Sequence, residues 1–128
     1  TTSVKRQANA DKQLVLFVAT PLEPEHVARI EAVAPDRVEV IYDRDLLPPT
    51  RYTADHNGVD GFARTAEQQE RWRRHLGRAQ VLWDFPPTDA DGGGGLAYAP
   101  KLEWIQTTSS GVGQTVKRLG LIDSDIIV

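Results

Sequence analysis

The chain has 128 residues, of which 40% are hydrophobic and 26% charged, the balance of one folded globular domain rather than a disordered or fibrous chain. Its net charge of −3 and pI near 5.5 give no long-range field for nucleic acid or anionic lipid, so small molecules and proteins are the expected partners. No cysteine is present, which excludes disulfides, thiolate metal sites and cysteine nucleophiles.

The longest apolar run, LVLFVA at 14–19, is far short of a bilayer span, and the N-terminus lacks the basic-then-apolar order of a signal peptide. A cytoplasmic protein without membrane contact is expected. A chain that begins at Thr1 and contains no Met is expected to be trimmed or partial.

Residues 1–12 are polar and without period, and read as a disordered leader to a domain spanning 13–128. Gln13–Ala19 is too apolar to alternate, the pattern of a strand buried on both faces at the centre of a parallel sheet. TPLEPEHVARIEAVAP follows as a helix of about three turns, with prolines and acids at its start, Val27, Ile30 and Val33 along one side, and Pro35 as its stop. RVEVIY at 37–42 is a second strand, and DRDLLPPTRYTADHNGVDGF, with paired prolines, NG and DG, reads as loop.

Thr65 opens the next helix, with Gln68 at capping-box spacing and Trp72, Leu76 and Ala79 as an apolar stripe. QVLWD at 80–84 is a third strand. Pro86, Pro87 and the run Gly92–Gly95 separate it from a fourth, Leu102–Gln106, and the glycine run is expected to be a flexible connector. A short helical piece over Gln114–Leu119, Gly120 just beyond its end, and a fifth strand at Asp125–Val128 complete the chain. Strands alternating with helices predict an α/β, flavodoxin-like open parallel five-stranded sheet with helices on both faces.

In such a sheet, ligands bind beyond the carboxyl ends of the strands, where QTTSSGVGQ at 106–114 falls. Gly111 and Gly113 let a turn bring successive backbone N–H groups to one point, a nest suited to an anion. Three other readings compete. The stretch can serve only as a Gly/Ser-rich βα turn whose hydroxyls cap a helix. GVGQTV matches the first two glycines of a dinucleotide loop, but Val116 stands at the third. Asp84 and Thr107 suit the phosphoacceptor and switch hydroxyl of a receiver domain, but the first strand ends Ala19-Thr20-Pro21, without the acid pair that would hold magnesium. No metal ligands are therefore expected.

His26 and His75 lie on predicted helices and His56 in the long loop, with no carboxylate partner set by spacing; all three read as surface or satisfied histidines. RWRRHLGR at 71–78 shares its helix with Glu67 and Glu70, and reads as a solvated face rather than a nucleic-acid site. Trp83 and Trp104, inside strands, are assigned to the core.

LAYAPKLEWIQTTSSGVGQ at 96–114, followed by LIDSDIIV at 121–128, resembles the N-terminal substrate-binding domain of the D-isomer-specific 2-hydroxyacid dehydrogenases. There a phrase of the form APxLxWIQxTSAGVD precedes a strand written DIxVTN. The likeness is densest over 97–128, and upstream it follows only the order of elements. Gly113 stands where the family usually has Asp, and the four-glycine run replaces its usual short helix.

The resemblance implies that backbone N–H groups of Ser110, Gly111 and Val112 hold the carboxylate of a 2-oxo or 2-hydroxy acid, and that Phe85 touches the substrate side chain. It further implies that NAD or NADP and the catalytic arginine, glutamate and histidine belong to a nucleotide-binding domain absent from this chain. The 128 residues alone would then be inactive and monomeric, and the intact enzyme a homodimer. The alternative is a stand-alone flavodoxin-like binding or interaction module without catalysis.

Overall fold

The computed structural model describes residues 14–55, 58–59, 61–86, 96–108, 113–119, 121–122 and 124–128. The expected leader at 1–12, the connector at Gly92–Gly95, His56 and Gly120 lie outside the described residues.

Four parallel strands form one sheet: β1 (Leu14–Val18), β2 (Val38–Ile41), β3 (Val81–Trp83) and β4 (Trp104–Gln106), in the order β2-β1-β3-β4. The unbroken apolar run puts β1 in the interior, where it pairs with β2 from Leu14↔Val38 to Phe17↔Ile41 and with β3 from Leu16↔Val81 to Val18↔Trp83. At its start, the side-chain oxygen of Gln80 accepts from Val15 N–H at 3.0 Å, so a polar side chain completes the ladder where β3 has not yet begun.

The expected fifth strand is reduced to one parallel bridge, Trp104↔Ile127, closed by Ile105 N–H to Ile127 O at 2.8 Å and Ile127 N–H to Glu103 O at 2.9 Å. Among the described residues the sheet therefore has four strands, with segment 125–128 against the outer side of β4.

Helix α1 (Pro24–Val33) begins with proline at its first position, where the missing N–H costs nothing, and buries Val27. Helix α2 (Ala66–Arg78) begins with the capping box expected from Thr65 and Gln68. Gln68 N–H donates to Thr65 Oγ1 at 3.2 Å, and Thr65 N–H to Gln68 Oε1 at 2.9 Å. A six-residue helix, α3 (Gly113–Arg118), follows β4. The segment read as loop after β2 contains one 3-10 turn, Arg44–Leu46.

Period-two alternation splits the strands between two faces. Phe17, Leu82 and Ile105 join the stripe of α2, with Trp72, Leu76 and Ala79, in the main core. Val18 and Val81, equally buried, point the other way and lie outside that cluster. The rings of Phe17 and Trp72 meet edge to face, 4.9 Å between centroids, and the guanidinium of Arg64 lies 3.7 Å over Trp72 while its Nε donates to Leu46 O at 2.8 Å. Burial of each large apolar side chain in this layer contributes roughly 2 kcal/mol.

Trp104 departs from the core position assigned to it: it is 43% exposed, and Trp83 is only half-buried. In β4 exposure alternates around the buried Ile105, so Trp104 and Gln106 share an exposed face.

Candidate functional site

The carboxyl ends of all four strands meet along one crest, where Thr20 follows β1, Tyr42 and Asp43 follow β2, Asp84 and Phe85 follow β3, and Thr107 and Thr108 follow β4. Parallel pairing produces this directly, because every strand points the same way.

Asp84 is the most constrained residue on the crest. Its N–H still pairs with Gln106 O at 2.7 Å, but its backbone turns into the left-handed region at φ 70°, and its side chain is almost fully buried. Aspartate tolerates that conformation better than most residues because a short polar side chain can bond locally. Here Oδ1 accepts from the next N–H, that of Phe85, at 2.9 Å, while Oδ2 accepts from Thr108 Oγ1 at 2.6 Å. The second bond is at the short end of the O–H···O range. One side chain thus fixes the direction in which the chain leaves β3 and ties it to the loop leaving β4.

Phe85, expected to face a substrate, is half-buried at the end of β3 and packs against the core. Ser110, Gly111 and Val112 lie outside the described residues. The chain on either side of them is described: Thr108, two residues before Ser110, is held by Asp84, and Gly113, one residue after Val112, opens α3. Both carboxylate oxygens of Asp84 are occupied by protein donors, and the hydroxyl that reaches it comes from Thr108 rather than from Thr107.

Thr20 lies one residue beyond the position level with Asp84, since Val18 pairs with Trp83 in the β1–β3 register and Ala19 N–H bonds to Trp83 O at 3.2 Å. Its hydroxyl is buried and has no partner among the described residues. β1 is also where the order of connection reverses, with β2 on one side and β3 on the other, which makes its carboxyl end the switch point of the sheet.

Sequence spacing missed a second charged cluster. Asp43, at the end of β2, accepts from Arg71 Nε at 2.9 Å and Arg71 Nη2 at 2.7 Å, and its Oδ2 lies 3.1 Å from His75 Nε2. Chiefly through the Arg71 bonds, and secondarily through His75, the Asp43 carboxyl is held below the usual carboxylate range. Arg71 and His75 are four residues apart on one helix face, so their proximity was legible; the carboxylate they share was not, because it lies 28 residues before Arg71. His75 is thus a satisfied histidine, and Arg71 and Arg78 of the RWRRHLGR run pair with Asp43 and Glu39 respectively.

Among the described residues no three His, Asp or Glu side chains gather as a metal site would require, and no helix is long and apolar enough to cross a membrane. Nor does the GVGQTV stretch fit a dinucleotide, since Val116, at the third-glycine position, packs its side chain against the core. No family model, no curated protein and no solved structure matches this chain.

Proposed function

We propose that this chain is the substrate-binding domain of an NAD(P)-dependent D-2-hydroxyacid dehydrogenase, a flavodoxin-like sheet completed at its outer edge by 125–128. The observation that supports it is the adjacency of β3 and β4: Phe85 leaves one and the QTTSSGVGQ stretch leaves the other, side by side at the carboxyl end of a parallel sheet. In this reading the N–H groups of Ser110, Gly111 and Val112 hold the substrate carboxylate, and Phe85 limits the space for its side chain. Asp84 sets the distance between the two by bonding to Phe85 N–H and Thr108 Oγ1.

The chain's role is to bind and orient. Reduction of a 2-oxo acid also needs a proton donor beside the carbonyl and a cation to polarise it, and these, with NAD or NADP, belong to a second domain that closes over the substrate and excludes water. The assembled enzyme is then a cytoplasmic homodimer.

Titrating the isotope-labelled chain with pyruvate or glyoxylate while following amide NMR shifts tests the assignment. Movement at Ser110–Gly113 and Phe85 is expected, with weak affinity because half of the site is missing. If those amides stay still at saturating acid, the chain is a stand-alone flavodoxin-like binding or interaction module.

A further inference from the structure

A cavity of about 420 Å³ opens at the other edge of the crest, between the loop leaving β1 and the loop leaving β2, in the size class of small-molecule sites. Its apolar walls include Leu22, Leu47, Pro48 and Pro49, and its charged groups are Glu23 and Arg44, with Tyr42 also on the lining.

The walls are fixed by bonds that leave Arg44 and part of the Glu23 carboxylate to the cavity. Tyr42 Oη donates to Leu22 O at 2.8 Å, tying the two loops together. Ala54 N–H donates to Glu23 Oε1 at 2.7 Å from a backbone at φ 65°, and the segment before Ala54 is clamped by the buried Asp55, which accepts from Arg51 N–H at 3.0 Å and Arg51 Nε at 2.8 Å. Behind the proline wall, Val59 N–H donates to Pro49 O at 2.9 Å. A side chain at Gly58, where φ is +74°, would place its Cβ 2.6 Å from Pro48 Cγ, so only glycine allows this approach.

Two charges remain available inside this frame. The Ala54 bond, and secondarily Glu23's own backbone N–H, hold Glu23 below the usual carboxylate range, and no other described residue donates a hydrogen bond to its carboxylate. The Arg44 guanidinium likewise has no hydrogen bond or ion pair among the described residues. Both charges act on the Tyr42 phenol, which burial pushes up, Arg44 pulls down and Glu23 pushes up. A lining with one unspent anion, one unspent cation and apolar walls is complementary to a molecule carrying the opposite pair.

We propose that this cavity binds a zwitterionic α-amino acid with an apolar side chain, its carboxylate on Arg44, its ammonium on Glu23 Oε2, and its side chain against Leu47, Pro48 and Pro49. A plain carboxylic acid would leave Glu23 facing an apolar group, and an amine would do the same to Arg44. Selectivity for the zwitterion therefore comes from both ends at once. This site does not depend on the dehydrogenase reading.

The test is residue-resolved NMR titration of the whole chain with L-leucine, with 4-methylpentanoate as the anion without ammonium and with L-leucinamide as the cation without carboxylate. L-leucine is expected to shift the amides of Leu22, Glu23 and Arg44, with each analogue weaker by about tenfold or more, the worth of one charge-assisted hydrogen bond. Arg44→Gln is expected to erase the preference for leucine over leucinamide, and Glu23→Gln, which keeps an acceptor for Ala54 N–H, the preference over 4-methylpentanoate. Thr50→Trp, at an exposed position on the rim, fills the cavity without touching either charge and is expected to abolish binding. Urea midpoints of the three variants establish that each is folded. The proposal is overturned if 4-methylpentanoate binds as tightly as leucine and is indifferent to Glu23→Gln, if leucine shifts none of these amides at millimolar concentration, or if Thr50→Trp binds unchanged.

Discussion

If Asp84 ties the exit of β3 to the exit of β4, then Asp84 and Thr108 must be energetically coupled, and a double-mutant cycle measures the coupling. Thr108→Val keeps the shape and removes the donor of the 2.6 Å bond; Asp84→Asn keeps the size and the tolerance of φ 70° but replaces the charged acceptor. A hydrogen bond to a charged group contributes about 1.5–3 kcal/mol. Thr108 is exposed, so water competes for the bond, and the coupling expected is about 1 kcal/mol. Asp84→Ala should cost more than Asp84→Asn, because alanine also loses the Phe85 N–H acceptor and carries the left-handed penalty of about 1–2 kcal/mol. Asp84→Gly should recover roughly 1 kcal/mol relative to Asp84→Ala, since glycine adopts this backbone without a Cβ clash. Urea unfolding of the six proteins, the double variant included, supplies all these differences. A coupling below about 0.3 kcal/mol, the scatter expected of independent sites, or equal stability of the Ala and Gly variants, would refute the clasp.

Thr20→Val should raise stability by about 1 kcal/mol in the unliganded chain, because a buried hydroxyl without a partner among the described residues is replaced by a methyl of similar size; a loss of stability by thermal melting would mean that the hydroxyl is paired after all. The Asp43 carboxyl, lowered first by its Arg71 bonds and then by His75, has a folded pKa beneath its unfolded one. Its contribution is therefore present above the unfolded pKa and is lost as pH falls through the folded pKa. Asp43→Asn should flatten the fall in urea midpoint as pH drops below the ordinary aspartate value of about 4, and an unchanged acid slope would remove Asp43 from the account.

Where one segment carried its own signal, the fold was legible. The apolar run of β1 announces a strand with neighbours on both sides, and Thr65 with Gln68 announces the start of α2, because each pattern is local and has one physical solution. Trp104 was misplaced because a strand's outer face is buried only if a helix covers it, and nothing within β4 reports what packs there. The shortfall at Asp125–Val128 is similar: DIIV has the composition of a strand, but pairing needs a facing edge in register, and only Ile127 finds one. At the site, position along the crest follows from strand direction and could be read. The Asp84–Thr108 bond, the Asp43–Arg71–His75 cluster and the cavity between the β1 and β2 loops each join residues distant in sequence, and no period encodes them.

The order β2-β1-β3-β4 also sets the cavity and the proposed carboxylate site on opposite sides of the β1 exit. The connection after β1 runs to β2 on one side, whereas the connection after β3 runs to β4 on the other, so the chain segments leaving the neighbouring strands β1 and β3 diverge. On the β2 side the gap is walled by the proline loop and keeps Glu23 and Arg44 unspent; on the β3 side it is bounded by Thr20 and Asp84, with the β4 loop held in by Thr108. Because the β1 exit is shared, Thr20 and Pro21 are joined directly to the residues lining the first cavity, and an occupant of either place acts on one short segment, 20–24.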